Sequence, residues 1–213
     1  VRIVVFDLDG TLIDSNAIKR NAFFGLAKSD PGGGDRMARL LSTVSGDRHA
    51  IWAAYVRERD GEDAAPSAVF EAVQAYNAIV DNAVAAAPEM PGASDLLTRL
   101  RKAGLQLAVS SATPRENLTA ILAMRGWLDW FDTVAGSPVN KAETLRVLTL
   151  KHRISADQLA VVGDGEDDRA SAKTLGCAFY PVGEGRGTTP GDRIFTLFEV
   201  GEIIANHIAG AST

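Results

Sequence analysis

Two aspartates stand two residues apart in Val4-Val5-Phe6-Asp7-Leu8-Asp9-Gly10-Thr11, directly after an apolar run. At the end of a strand, carboxylates with that spacing reach one small volume. One can attack an electrophile and divide a difficult hydrolysis into two covalent steps. The other can protonate a leaving group and then activate water, provided its pKa suits both tasks. Gly10 permits an unusual backbone angle or a close approach to a ligand. Thr11, with Asp14 and Ser15 beyond it, can satisfy local backbone donors. Alone, the pair also reads as a polar turn with an aspartate cap.

Three further clusters bear on that choice. Ser110-Ser111-Ala112-Thr113 follows the apolar run Leu105–Val109. A hydroxyl and N–H donors there can hold phosphoryl oxygens ahead of the next helix. Ser111 is the first choice and Ser110 the alternative if the strand end shifts by one. Lys141 precedes a helix expected to start near Ala142, although cations favour the other end of a helix. A buried Lys at that position therefore needs an anion partner. In Val162-Gly163-Asp164-Gly165-Glu166-Asp167-Asp168, four acids crowd into five positions. Capping needs fewer, and the repulsion calls for a cation. Asp164 and Asp168 are four apart, so one helical turn can bring both toward one site.

The elements that must position these groups alternate. Val1–Phe6, Leu105–Val109, Leu159–Val162 and Ala178–Val182 are short apolar runs. Between them lie stretches with helical spacing at Ala93–Ala103, Arg115–Gly126 and Ala142–His152. This pattern predicts an α/β fold with a Rossmann-like, mainly parallel sheet covered on both faces. From Ser15 to Pro88 there is no convincing strand, only helical candidates at Ala17–Lys28, Arg36–Ser45, His49–Arg59 and Ala68–Ala87. The expected organisation is a core domain of residues 1–14 and 89–213 with a helical cap domain of residues 15–88 inserted after the first strand. An insertion near the carboxyl ends of the strands would serve as a lid. Trp52, Tyr55 and Phe70 are expected to pack inside it. The breaks Asp30-Pro31-Gly32-Gly33-Gly34 and Asp60-Gly61-Glu62-Asp63 divide its helices.

Composition excludes other classes. The chain has 213 residues, a net charge of −5 and a pI near 5.2, so it carries no basic footprint for nucleic acid. An anionic substrate must be drawn by local groups. No run approaches the roughly 20 apolar residues of a membrane helix. Cys177 is the single cysteine, which suits a reducing cytoplasm. The chain opens at Val1 rather than Met, so a residue or more is expected to precede it; the opening run does not read as a signal peptide. His49, His152 and His207 form no triad or zinc spacing.

Together the four clusters, in this order, resemble the motifs of the haloacid dehalogenase superfamily. The resemblance implies that Asp7 is the nucleophile, forming an aspartyl-phosphate, and that Asp9 is the acid and then the base. Ser111, Ala112, Gly10 and Thr11 would hold the phosphoryl group. Lys141 would neutralise nucleophile and phosphate, although Lys141-Ala142 stands where the family often has Lys-Pro. The resemblance also implies Mg²⁺ on the Asp7 carboxylate, the Asp9 backbone carbonyl and Asp164, with Asp168 supporting. Dehalogenases of the superfamily lack the second aspartate, so Asp9 favours phosphatase chemistry.

The helical insertion is similar to the type-one caps of phosphoglycolate phosphatases, sugar-phosphate phosphatases and β-phosphoglucomutases. A Mg²⁺-dependent phosphatase of a small phosphorylated metabolite is thereby expected. A phosphomutase, or a non-catalytic phosphometabolite-binding protein, is the alternative. In the cap, Ser45-Gly46-Asp47-Arg48 is the most site-like segment. Arg48 can meet an anionic leaving group with its planar fork; a surface arginine at a helix start is the plainer reading. Asn16 and Arg20 are further candidates for cap-side contacts, Arg20 reading more plainly as a solvated helix residue, and the Gly183–Pro190 loop either edges the site or does nothing. Oligomeric state is not legible.

Overall fold

A computed structural model describes residues 1–44, 46–62, 65–183 and 193–210. Five strands form one sheet: β1 (Ile3–Phe6), β2 (Gln106–Pro114), β3 (Thr133–Ser137), β4 (Leu159–Gly163) and β5 (Ala178–Pro181). Their order is β3-β2-β1-β4-β5 and every pair is parallel. β1 lies at the centre, paired to β2 through Val5↔Ala108 and to β4 through Val5↔Val161. The chain builds outward from β1 through β2 to β3, then returns to β4 on the other side. That reversal puts a topological switch point at the carboxyl end of β1, where open α/β sheets bind ligands.

Both faces of the sheet are covered, which is why its central strands read as unbroken apolar runs rather than alternating ones. Ile3, Val5, Leu159 and Val161 pack with Leu145, Leu148 and Ala172 on one face. Residues of the other parity, including Val4, Phe6, Leu107, Val109 and Val162, are fully buried as well. The helices of this unit are α5 (Ala93–Lys102), α6 (Arg115–Met124), α7 (Lys141–His152), α8 (Glu166–Leu175) and α9 (Leu197–Gly210). No helix among the described residues is long and apolar enough to cross a membrane.

The chain divides into two compact units, Val1–Asp14 with Ala87–Thr213 and Ser15–Ala86. Among its described residues the regular elements of the second are helices: α1 (Asn16–Ala27), α2 (Gly33–Thr43), α3 (Arg48–Asp60) and α4 (Pro66–Ala86). Its core is aromatic. Phe23 lies 4.3 Å from Tyr76 between ring centroids, and Trp52 meets Tyr55 edge-on at 5.3 Å. The Tyr55 hydroxyl donates to Asp30 Oδ2 at 2.8 Å, tying α3 to the break before α2. Phe70, expected in this core, is instead 64% exposed. The buried stripe of α4 begins one turn later, at Val73, and continues through Tyr76, Val80 and Val84.

β2 also differs from expectation. It does not stop at Val109 but pairs onward with β3 through Ser110↔Ala135 and Ser111↔Gly136, then shifts register before Pro114↔Ser137. The hydroxyl residues therefore belong to the strand, and α6 has no side-chain cap. β3 and α9 were not anticipated. β3 is Thr-Val-Ala-Gly-Ser, half-buried and without an apolar run.

Gly136 allows β2 and β3 to close at that point. A Cβ there would lie 2.7 Å from the Thr113 carbonyl oxygen and 2.5 Å from Arg115 Cα, all of it backbone. Gly136→Ala should therefore destabilise the protein by about 1–3 kcal/mol, read as a lowered urea midpoint with unchanged slope. An unaltered midpoint would show that this close approach is not present in solution.

Candidate active site

The site is assembled at the carboxyl ends of β1, β2 and β4. Asp7 follows β1 immediately, and its N–H donates to the Val162 carbonyl of β4 at 3.0 Å. Beyond it the chain folds back tightly, with Gly10 N–H donating to Ile13 O at 2.8 Å and Gly10 at φ 74°. Asp9 and Thr11 are buried in this turn. The Thr11 hydroxyl was expected to serve backbone donors, yet its Oγ1 is buried without a hydrogen-bond partner. The reason is local: backbone carbonyls, those of Leu8 and Ile13, already take up the N–H groups of residues 10 to 13.

From β4 come Asp164, in the loop after the strand, and Asp168, in the first turn of α8. Gly163 makes room for the second. A Cβ on Gly163 would sit 2.3 Å from the Asp168 carboxyl carbon. Oxygen atoms of Asp7, Asp164 and Asp168 lie within 4.8 Å of one another, and all three residues are buried.

Lys141 supplies the cation. Asn140 caps α7, its side-chain oxygen accepting from Glu143 N–H at 2.8 Å, so the helix begins with Lys141. The Lys141 ammonium lies 2.8 Å from Asp168 Oδ1, 3.2 Å from Asp167 Oδ2 and 3.4 Å from Asp7 Oδ1. Those carboxylates are the anion partner that a lysine at a helix start requires. Asp167, which had no assigned role, is one of them.

The electrostatics follow from burial. Desolvation pushes the Asp7 carboxyl well above the ordinary range; Lys141 opposes this, while Asp168, Asp9 and Asp164 add to it. Burial likewise raises Asp168, to about 7, against the pull of Lys141 and with the push of Asp167. Desolvation would lower Lys141, but Asp7, Asp168 and Asp167 outweigh it and hold the ammonium charged. Negative charge is thus in excess. Asp168 is already engaged through both oxygens, by Lys141 and by Gly165 N–H at 3.2 Å. Asp7 and Asp164 offer carboxylate oxygens that could hold a divalent cation, a hard ion that oxygen donors suit. The donor set fits such an ion.

From β2, Ser111 and Thr113 face the same way because strand side chains alternate. Ser111 Oγ is 3.4 Å from Asp9 Oδ2, and Thr113 Oγ1 is 3.1 Å from the same oxygen. Of the two serines, Ser111 is therefore on the Asp9 side. Ala112, between them, is exposed. Thr113 was not singled out from sequence; its signal was the two-residue spacing from Ser111, informative only once β2 is known to continue.

In the helical unit, Arg48 is the first residue of α3, after Asp47, whose side chain accepts from His49 and Ala50 N–H. Arg48 is half-buried and its Nε has no partner. Arg20 is exposed and stacks on Phe24 of its own helix at 5.2 Å. Ser45 and, apart from Gly183, the Gly183–Pro190 loop lie outside the described residues.

Residues 1–176 match the model of the haloacid dehalogenase-like hydrolases. The chain belongs to that family and is a hydrolase. Over 204 residues it is 31% identical to a phosphoglycolate phosphatase of Rhodospirillum rubrum, covering 89% of this chain and 82% of the relative. A phosphoglycolate phosphatase of Chromobacterium violaceum is 28% identical over 204 residues, with 87% and 86% covered. The fold is similar to the crystal structure of a predicted phosphoglycolate phosphatase from Haemophilus somnus 129PT. The TM-score is 0.76 at 19% identity, covering 95% of this chain and 97% of the other.

A pH dependence follows from the crowded carboxylates. Asp168 holds its proton up to about pH 7 in the folded state, whereas an unfolded aspartate loses it near 3.8. Between those values Asp168 binds more protons in the folded state than in the unfolded, so its contribution to stability falls as pH rises. In EDTA the wild type should lose stability from about pH 4 to 7 relative to Asp168→Asn. A millimolar divalent cation should remove much of that loss. Parallel stability–pH curves for the two proteins would contradict the assignment.

Proposed function

We propose that the protein is a Mg²⁺-dependent phosphatase that hydrolyses a small phosphorylated metabolite, phosphoglycolate-like or sugar-phosphate-like, through a phosphorylated Asp7. The observation that supports this most is the Lys141 ammonium shared between Asp7 and Asp168. A nucleophilic carboxylate must approach an anionic phosphoryl group, and the two negative charges need compensation at that point.

In the first step an Asp7 oxygen bonds to phosphorus as the bond to the leaving oxygen breaks, and Asp9 gives that oxygen its proton. In the second, Asp9 takes a proton from water, whose oxygen attacks phosphorus and frees Asp7. Ser111, the Ala112 N–H, Gly10 and Thr11 are proposed to hold the phosphoryl oxygens; the partnerless, buried Thr11 hydroxyl is a donor for that purpose. Mg²⁺, on Asp7, the Asp9 carbonyl and Asp164, would neutralise phosphoryl charge. Arg48, with its unpartnered Nε, is proposed to meet an anionic group on the leaving portion.

Phosphate release from a panel of phosphorylated metabolites tests the reading. Release should require Mg²⁺, and Asp7→Asn should lower it by about 10⁴-fold or more. Retained activity in that variant would refute the nucleophile. Arg48→Ala should raise KM for the best substrate by roughly tenfold with little change in kcat. A sugar phosphate isomerised with little phosphate released would identify a mutase instead. No turnover of any substrate would leave a binding protein.

A further inference from the structure

Asp9 is asked to donate a proton and later to accept one, at a leaving oxygen whose position is fixed by phosphorus. Its carboxylate must therefore be held in one orientation. Two hydroxyls from β2 converge on Asp9 Oδ2: Thr113 Oγ1 at 3.1 Å and Ser111 Oγ at 3.4 Å. They are linked to each other, since Thr113 N–H donates to Ser111 Oγ at 3.1 Å. Thr113 is 6% exposed, so water competes poorly for its hydroxyl.

The two hydroxyls are not equivalent in the reaction. Each carries one proton to donate. Under the proposed function, the Ser111 proton turns to a phosphoryl oxygen when substrate binds, and its hold on Asp9 is lost at the moment when orientation matters. Thr113 keeps its donor on Asp9. Its position is set by backbone: Gly136, which admits no side chain there, lets the Thr113 carbonyl and the start of α6 lie against β3.

We propose that Thr113 is a positioning residue for the acid–base carboxylate of Asp9. It acts through the Thr113 Oγ1–Asp9 Oδ2 hydrogen bond, while Ser111 is released to the phosphoryl group. The inference rests on the acid–base reading of Asp9.

The test exploits the leaving group. kcat/KM reports the first phosphoryl transfer, in which an alkoxide needs a proton from Asp9 and a nitrophenolate does not. Thr113→Val, of nearly the same shape without the donor, is compared with Thr113→Ser, which keeps it, and with Asp9→Asn. The substrates are β-glycerophosphate and p-nitrophenyl phosphate. Thr113→Val should lower kcat/KM for β-glycerophosphate by roughly 10- to 100-fold and for p-nitrophenyl phosphate by less than about threefold. Thr113→Ser should stay near wild type on both. An equal loss on the two substrates, no loss on β-glycerophosphate, or a Ser variant as impaired as the Val variant would overturn the proposal.

Asp9→Asn separates the two levels. If it shows the leaving-group bias and Thr113→Val does not, only the role of Thr113 fails. If it shows no bias, the acid role of Asp9 fails and takes this inference with it. Melting temperatures are read for each protein. Should Thr113→Val not fold, Thr113→Ala is judged by the same criteria.

Discussion

The largely buried ammonium of Lys141 is set among carboxylates that outnumber it, and much of the surrounding structure can be understood from that imbalance. Removing several carboxylates from water is costly unless they are paired and hydrogen-bonded. Lys141 contacts Asp7, Asp167 and Asp168, and Asp168 also accepts from Gly165 N–H. Even so, Asp7 and Asp168 are held well above ordinary carboxylate behaviour by burial. A fold selected for stability alone gains nothing from such an arrangement, and apolar residues of similar volume would serve as well or better. The strain is intelligible if a divalent cation completes the balance.

The fold delivers these charges by simple means. Three neighbouring parallel strands end at the same edge, so residues distant in sequence meet there without long loops. Asp7 follows β1, Asp164 follows β4, and Ser111 and Thr113 extend from β2. Small residues let the charged ones in: Gly163 admits the Asp168 carboxyl, and Gly136 admits the end of β2. The Asn140 cap determines that α7 starts at Lys141, and hence where the ammonium can reach. Two of these devices are glycines that make room and the third is a side-chain cap, and together they set where the charged groups can reach.

Much of this was legible from residue types. Fully buried strands leave continuous apolar runs, so β1 and β4 could be read directly, and the charged clusters at their ends stood out by contrast. The reach of Lys141 followed from the cost of a cation at a helix start. What escaped notice was carried by pairing rather than by composition. Ser110 to Thr113 look like a cap because hydroxyl residues favour caps, yet they lie in a strand because β3 pairs with Ser110, Ser111 and Pro114. β3 itself has no apolar signature, and its partner β2 is what makes it a strand. Thr113 was missed with them, since the alternation that aims it at Asp9 exists only in an extended chain. Phe70 failed in the opposite sense: an aromatic at an apolar spacing, but one turn before the buried stripe of α4 begins.

The central claim is that Asp7, compensated by Lys141, carries the phosphoryl group. Rapid acid quench during turnover of a phosphorylated substrate, followed by borohydride reduction and peptide mass spectrometry, tests it directly. An acyl phosphate on Asp7 is reduced to homoserine, so the account predicts homoserine at position 7, dependent on substrate and absent when Mg²⁺ is withheld. Turnover with an unmodified Asp7, or with the reduced residue found at Asp9 or Asp164, would contradict it.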